Sequence, residues 1–442
     1  MKNTILFSVL LLFVATGCFV MENTFPTIAP GKWRAVLQLV PKKPVNNKKG
    51  EPLPELVNIK MDEVTEGELP FLMEVTYTNE TDFYIEIING EERIKVDNIK
   101  TGHNKKTGND TLLMDIPEYG SYIRADYDAR VIAGNYYVPS RGPNYKIPFI
   151  ARYGQDHRFT LLKKTPAIDL TGKWEVTFGL DEEEPWPAIG EFKQEGNHLT
   201  GTFLTETGDY RFLEGTIQEN KLYLSTFDGS HAFLFEGKIL EDESIIGSFR
   251  SGNHYRTTWE AKRNPAVELA DPNELTYLKE GYDKVDFSFT NPAGKTISLD
   301  NPEYQDKIKI VQIFGTWCPN CRDETVFLTN YLEKRPNQDV AVIALAFEKY
   351  RESDKANAAV KKYMEKMQVP YEMVVAGYSD KKEAAQALPM LNHILSYPTM
   401  IFIDRKNQVR RIHTGFNGPA TSKYQEFTKE FDEFLNTLLA ES

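Results

Sequence analysis

Hydrophobic and polar positions alternate with a period of two through most of the first 260 residues. Gly31-Lys32-Trp33-Arg34-Ala35-Val36-Leu37 opens the pattern. Short runs follow at Phe71-Met73-Val75-Tyr77, Phe83-Ile85-Ile87, Ile94-Val96, Leu112-Met114, Tyr122-Arg124-Asp126, Val131 to Tyr137 and Tyr145 to Ile150. Each is bounded by Gly, Asn, Asp or Pro, which predicts strands rather than helices. The pattern then repeats. Gly172-Lys173-Trp174-Glu175-Val176 echoes the opening stretch, Leu222-Leu224 echoes Leu112-Met114, and Ile246-Gly247-Ser248-Phe249 echoes Ala133-Gly134-Asn135-Tyr136. Between them lie Ile189 to Phe192, Leu199 to Phe203, Tyr210 to Ile217, Ala232 to Ile239 and Tyr255 to Trp259. About eight strands per copy is the number that closes a small barrel. Trp33 and Trp174 read as core plugs at a barrel end.

The period changes after residue 282. Val285 to Leu299 reads as a hairpin across Asn291-Pro292-Ala293-Gly294. Lys309 to Phe314 is a near-continuous apolar run, as a strand covered on both faces requires. After Gly315-Thr316-Trp317-Cys318-Pro319-Asn320-Cys321 the apolar spacing becomes three and four, predicting a helix. Val340 to Phe347 and Pro370 to Val375 are further strands. A helix capped by Asp354, a helix over Lys381 to Leu388 and a helical turn at Asn392 to Leu395 are also expected. Tyr397 to Asp404 pairs with Val409 to Gly415, and a last helix carries an apolar stripe through Phe427, Phe431, Phe434, Leu435 and Leu438. Strand–helix alternation predicts an α/β sheet with an antiparallel edge. The fold class expected is therefore multidomain: two tandem all-β, small barrel-like domains, then an α/β domain.

The candidate chemistry is a cysteine pair where a buried strand meets a helix. A sulfur at a helix N-terminus lies beside unpaired N–H groups and the positive end of the helix dipole, so Cys318 is expected as the thiolate nucleophile. Pro319 suits the first helical turn. A bare Cys-x-x-Cys also serves zinc or a disulfide staple, but zinc needs two more ligands. The chain has no second pair among its 3 cysteines and no His-x3-His among its 7 histidines. A net charge of -12 argues against nucleic acid as a partner. Ordinary proportions of hydrophobic (41%) and charged (26%) residues place the chain among globular proteins.

Phe-Gly-Thr-Trp-Cys-Pro-Asn-Cys-Arg-Asp-Glu after a buried strand resembles the thioredoxin superfamily, and within it the TlpA/ResA-type thiol–disulfide oxidoreductases. The resemblance runs from about Val285 to about Leu439. It implies a thioredoxin-like fold, attack by Cys318, resolution by Cys321, and no metal or organic cofactor. It also implies a cis bond at Pro398 beside the cysteines, with the backbone of Tyr397 open to an extended substrate. Thioredoxin has a buried aspartate six residues before the first cysteine; here that position is Gln312, which cannot titrate. Glu324, where ResA-type proteins carry a functional glutamate, is the expected proton acceptor, or else a first-turn dipole partner on the surface. Trp317 is expected to shield the disulfide, Asn320 and Pro319 to tune it, and Asp323 to serve helix-end electrostatics. His393 and His413 are within plausible reach. Gly-x-Trp at the head of each β unit resembles lipocalin-like barrels.

Lys2, the apolar run Ile5 to Val14 and Ala15-Thr16-Gly17-Cys18 read as an export signal and resemble a bacterial lipoprotein box. Cleavage before Cys18 and acylation of that residue are implied, with Ala15 where the family has Leu. The expected division is residues 1–17 signal peptide, 18–30 tether, 31–165 first β domain, 166–264 its repeat, 265–282 a linker with a short helical piece, and 283–442 the thioredoxin-like domain. The expected function is an envelope-anchored oxidoreductase, periplasmic or extracellular in outlook, exchanging disulfides with protein clients. A membrane electron donor or acceptor would serve it. Two other readings stay open. One is a partner-binding or copper- or haem-delivery lipoprotein. The other is a peroxidase, which would carry a lone cysteine after a Thr-x-x pattern, whereas Thr325 follows the pair here.

Overall fold

Each Gly-x-Trp stretch opens a sheet in the same way. Gly31 (φ 105°) and Gly172 (φ 118°) adopt backbone conformations that side chains disfavour. Trp33 and Trp174 are fully buried. Their Nε1–H groups donate to the carbonyls four residues earlier, Ala29 at 3.0 Å and Leu170 at 2.9 Å. The computed structural model describes residues 28–40, 59–291, 293–336 and 339–441. Cys18, the export signal and most of the tether lie outside the described residues.

The first unit is a nine-stranded antiparallel sheet. Its strands are β1 (Gly31–Gln38), β2 (Glu68–Tyr77), β3 (Phe83–Asn89), β4 (Glu92–Val96), β5 (Ile99–Asn104), β6 (Asn109–Ile116), β7 (Ser121–Tyr127), β8 (Val131–Tyr137) and β9 (Lys146–Tyr153). Their order is β4-β3-β2-β1-β9-β8-β7-β6-β5, so the sheet is an open half-barrel. The second unit comprises β10 (Gly172–Phe178), β11 (Trp186–Glu195), β12 (His198–Thr205), β13 (Gly208–Asp209), β14 (Leu213–Gln218), β15 (Lys221–Phe227), β16 (Ala232–Ile239), β17 (Ile245–Ser251) and β18 (Tyr255–Arg263). Pairing of β11 with β12 closes this sheet into a barrel. Fully buried Trp174, Phe178, Phe203, Phe235 and Trp259 fill its interior.

The half-barrel is completed by the outside of the barrel. Leu222 and Leu224 of β15 point into the barrel core. Tyr223 and Phe227 of the same strand, with Ala232 and Leu234 of β16, belong to the half-barrel's core. The Phe227 ring lies 4.7 Å from Phe71 and 4.9 Å from Tyr136. Arg158, buried, reinforces the seam by donating to Asn89 Oδ1 at 2.9 Å and to the Ser225 carbonyl at 3.0 Å while pairing with Glu214. The two β regions thus share an apolar core and form one β unit. In the turn between β10 and β11, Asp181 Oδ1 accepts from Thr257 Oγ1 at 2.7 Å and from Thr258 N at 2.9 Å, tying that turn to β18.

Residues 265–282 carry no helix among the described residues. Asp271-Pro272 interrupts the run, and the segment lies against the next unit, with Leu278 bridging to Leu391. A short hairpin follows, β19 (Phe289–Thr290) with β20 (Thr296–Ile297). The third unit has a five-stranded sheet in the order β23-β22-β21-β24-β25. The strands are β21 (Ile308–Phe314), β22 (Val340–Glu348), β23 (Glu372–Tyr378), β24 (Thr399–Ile403) and β25 (Val409–Thr414). β21, β22 and β23 are mutually parallel, β24 is antiparallel to β21, and β25 is antiparallel to β24. The helices are α1 (Pro319–Lys334), α2 (Ser353–Met367), α3 (Lys381–Ala387) and α4 (Lys423–Ala440). Helix α1 packs on α4 through Phe327 and Phe431, whose rings are 4.8 Å apart. Every residue of β21 is buried. Helix α2 starts one residue before Asp354, with Glu352 at the cap position. No helix forms at 392–395, where the Asn392 side chain instead binds the linker, accepting from Tyr277 N at 3.0 Å. The core of this third unit is a cluster of its own, with no member from the β unit among the described residues.

Candidate active site

Strand β21 delivers the chain into Gly315-Thr316-Trp317, and Cys318 becomes the N-cap of α1. Its Sγ accepts from the Cys321 backbone N–H at 3.3 Å, satisfying one of the helix's unpaired donors with sulfur. The Cys318 thiol donates to the Tyr397 carbonyl at 3.3 Å. Both cysteines are free; Cys318 is 6% exposed and Cys321 fully buried. Burial, then the hydrogen bond and charge of Cys318, push the Cys321 thiol well above its ordinary range. The pair is therefore asymmetric, an outer sulfur over an inner one held as a thiol. Tyr397–Pro398 is a cis peptide bond, and the Pro398 carbonyl accepts from Gly415 N at 2.9 Å.

Below the sulfurs lies a buried polar cluster. Gln312 Nε2 donates to Glu324 Oε2 at 2.9 Å and to Thr325 Oγ1 at 3.2 Å, while the Tyr371 hydroxyl donates to Gln312 Oε1 at 3.4 Å. Glu324 is fully buried rather than on the surface, and its Oε1 has no hydrogen-bond partner among the described residues. Burial raises its carboxyl to about 8. It can hold a proton at neutral pH and release it to a base, or take one from a neighbour.

Sequence reasoning missed Glu348. This last residue of β22 is 1% exposed and accepts from Thr316 N at 3.0 Å and Thr316 Oγ1 at 2.9 Å. It anchors the turn that presents Trp317 and Cys318, and burial raises its carboxyl to about 7. The available signal was a carboxylate ending an otherwise apolar buried strand. Trp317 donates Nε1–H to the Phe347 carbonyl at 3.0 Å and stands edge-on to Tyr397, with Lys349 Nζ 3.9 Å from its ring centre.

The Redoxin family matches residues 280–427. Thioredoxin-like protein YneN of Bacillus subtilis (strain 168) is 26% identical over 138 residues, 31% of this chain and 73% of that protein. The C-terminal third of this chain is a thioredoxin-like redoxin domain, a thiol–disulfide oxidoreductase. Solved structures similar to it include a thiol:disulfide interchange protein of Chlorobium tepidum TLS, 21% identical, covering 37% of this chain and 99% of that one with a TM-score of 0.28. A thiol-disulfide oxidoreductase from Bacteroides fragilis NCTC 9343 is 18% identical, covering 35% of this chain and 100% of that one with a TM-score of 0.27.

The β unit reaches the cysteine end of the redoxin domain. Asn320 Nδ2 donates to the Asp209 carbonyl at 3.1 Å. Ser230 Oγ donates to the Trp317 carbonyl at 2.9 Å, and Ser396 Oγ to the Thr207 carbonyl at 2.8 Å. Asp323 pairs with the buried Arg211, which also donates to the Pro319 carbonyl at 3.4 Å. The helix-end carboxylate thus has a specific cation from another unit. The two histidines stand apart from this site. His393 is exposed, and His413 bonds Asn273 Oδ1 at 3.1 Å, its imidazole pushed down to about 4 by burial. No group of three or more His, Cys, Asp or Glu with metal-binding geometry occurs among the described residues, and no described helix is long and apolar enough to cross a membrane.

Proposed function

We propose that this chain is an envelope-anchored oxidoreductase that reduces protein disulfides through Cys318 and Cys321. The observation that carries the reading is the stacked pair at the head of α1, an outer sulfur that accepts a backbone N–H above a buried, proton-holding inner thiol. The Cys318 thiolate attacks one sulfur of a client disulfide, and the other client sulfur leaves as a thiolate and takes a proton. Cys321 gives its proton to Glu324 and attacks Cys318 Sγ, expelling the second client thiol and leaving a Cys318–Cys321 disulfide. Two electrons and two protons from a membrane-borne dithiol donor restore the reduced pair. Pro398 and the Tyr397 backbone hold an extended client segment alongside. Gln312 fixes the Glu324 carboxyl, and Trp317, Pro319 and Asn320 shape the entrance. Acylated Cys18 tethers the protein to the envelope membrane.

Equilibration of the purified protein in dithiothreitol and glutathione buffers, with alkylation to count thiols, tests the reading. Cys318 and Cys321 should oxidise together as one two-electron couple, near about -270 mV for a reductant and about -120 mV for an oxidant. Independent titration of the two thiols, with no reversible disulfide, would rule the mechanism out. Metabolic acyl labelling that persists in Cys18→Ser would rule out the anchor.

A further inference from the structure

A redoxin domain that works on protein disulfides needs open space between the cysteine turn and the Tyr397–Pro398 loop. In this chain a hairpin of the barrel lies there. Residues 205–211 connect β12 to β13 and continue past it. The Thr207 carbonyl takes the Ser396 hydroxyl at 2.8 Å, one residue before Tyr397. The Asp209 carbonyl takes the Asn320 amide at 3.1 Å, between the two cysteines in sequence. Asp209 Oδ2 accepts from Gly418 N at 2.6 Å. Gly208 (φ 133°) passes so close that a Cβ there would stand 2.0 Å from Asn320 Nδ2. On the other side, Ser230 holds the Trp317 carbonyl. Backbone carbonyls of the hairpin thus accept from side chains on both edges of the slot.

We propose that this hairpin is an autoinhibitory strap, and that protein disulfides reach Cys318 only when the β unit swings away from the redoxin domain. The proposal rests on the oxidoreductase reading above. Two features make the contact separable. Among the described residues the redoxin core shares no residue with the cores of the β unit, and hydrogen bonds and ion pairs cross the junction. These include Lys366–Asp97 at 2.7 Å and Lys362–Asp115 at 3.4 Å. Polar junctions of this kind permit relative domain motion. The latch itself is balanced for release. Arg211 pairs with Asp323 across the junction, but also with Glu92 and with Asp228 Oδ2 at 3.5 Å inside the β unit. Opening leaves the arginine still paired and returns Asp323 to water, so no charge is stranded. With the strap in place, a cavity of about 320 Å³ remains beside Trp317 and Lys349, walled by Arg141, Tyr145, Ser230 and His254. That is the scale of a small molecule, not of a polypeptide segment.

The test uses the whole protein and compares its rate of reducing insulin with its rate of reducing a small aromatic disulfide, 5,5′-dithiobis(2-nitrobenzoate). The ratio cancels changes in thiol reactivity and reports access. Asp323→Lys places a cation against Arg211 while leaving Glu92 and Asp228 to it, so the β unit stays folded. Gly208→Leu wedges the hairpin off Asn320 and serves as the second variant. Both should raise the insulin-to-small-disulfide ratio by tenfold or more. An unchanged ratio in folded Asp323→Lys protein that retains its two-electron couple overturns the strap and leaves the oxidoreductase reading standing. Loss of the couple in the unaltered protein overturns the oxidoreductase reading instead, and the strap with it.

Discussion

Cys318 and Cys321 differ in one respect that matters at the scale of single residues: the outer sulfur reaches a carbonyl and an N–H, whereas the inner one is sealed and kept protonated. Cys321→Ser should therefore attack and then stall, accumulating a mixed disulfide with a client that denaturing, non-reducing gels detect. Cys318→Ser should accumulate none. Glu324 carries a pH signature. Its carboxyl titrates near 4.5 in an unfolded chain and at about 8 in the folded one. Below the lower value both states hold the proton, and stability is complete. As pH rises toward 8 the unfolded state alone releases it, so stability falls. At ~1.4 kcal/mol per pKa unit, Glu324→Gln should be more stable than the parent by up to about 5 kcal/mol at pH 8 and nearly equal to it at pH 4.5, as urea titrations at the two pH values would show. The same variant should slow the release of mixed disulfide by about tenfold or more. The cysteines were legible because their spacing falls where a buried apolar strand gives way to helical spacing. Glu324 was legible by its place three residues on, but its burial was not. Pairing of Asp323 with Arg211 was not legible at all, since the partners lie 112 positions apart.

Among the elements, the turn between β21 and α1 depends on the end of a neighbouring strand. Glu348 takes two hydrogen bonds from Thr316, and both groups are buried. Glu348→Ala strands the Thr316 N–H without a partner, which costs roughly 1–3 kcal/mol. It should also raise the exchange rate of the amides in 315–318, a change that hydrogen-exchange mass spectrometry resolves; unchanged exchange there would assign Glu348 to some other task. Strand and helix positions were well forecast in the redoxin domain because buried parallel strands and amphipathic helices write unmistakable periods. Short-range signals failed where a side chain chose a distant partner. Asn392 abandons a helical turn to bind the linker at Tyr277 and Leu275.

For the whole molecule, the decisive fact is where cores merge and where they stay apart. Period-two alternation marks each strand as one-faced, yet every residue of β15 from Leu222 to Phe227 is buried. One face belongs to the barrel and the other to the half-barrel, a double use that the repeat pattern conceals. Phe227 is the sharpest case, since it grows from the barrel and packs on Phe71 and Tyr136 of the half-barrel. Calorimetry should then record two unfolding transitions rather than three, one for the joined β unit and one for the redoxin domain. Phe227→Ala removes a fully buried ring and should weaken the β transition by about 3–5 kcal/mol. Because the half-barrel core takes Tyr223, Phe227, Ala232 and Leu234 from the barrel's own strands, the two should still melt together. The redoxin transition, followed by the reactivity of Cys318 and Cys321 during heating, should stay in place, since its own apolar cluster contains no residue of the β unit. A Phe227→Ala protein in which the redoxin transition moves in step with the β transition would mean that the polar junction transmits stability between the two. A strap held that firmly would open only by unfolding.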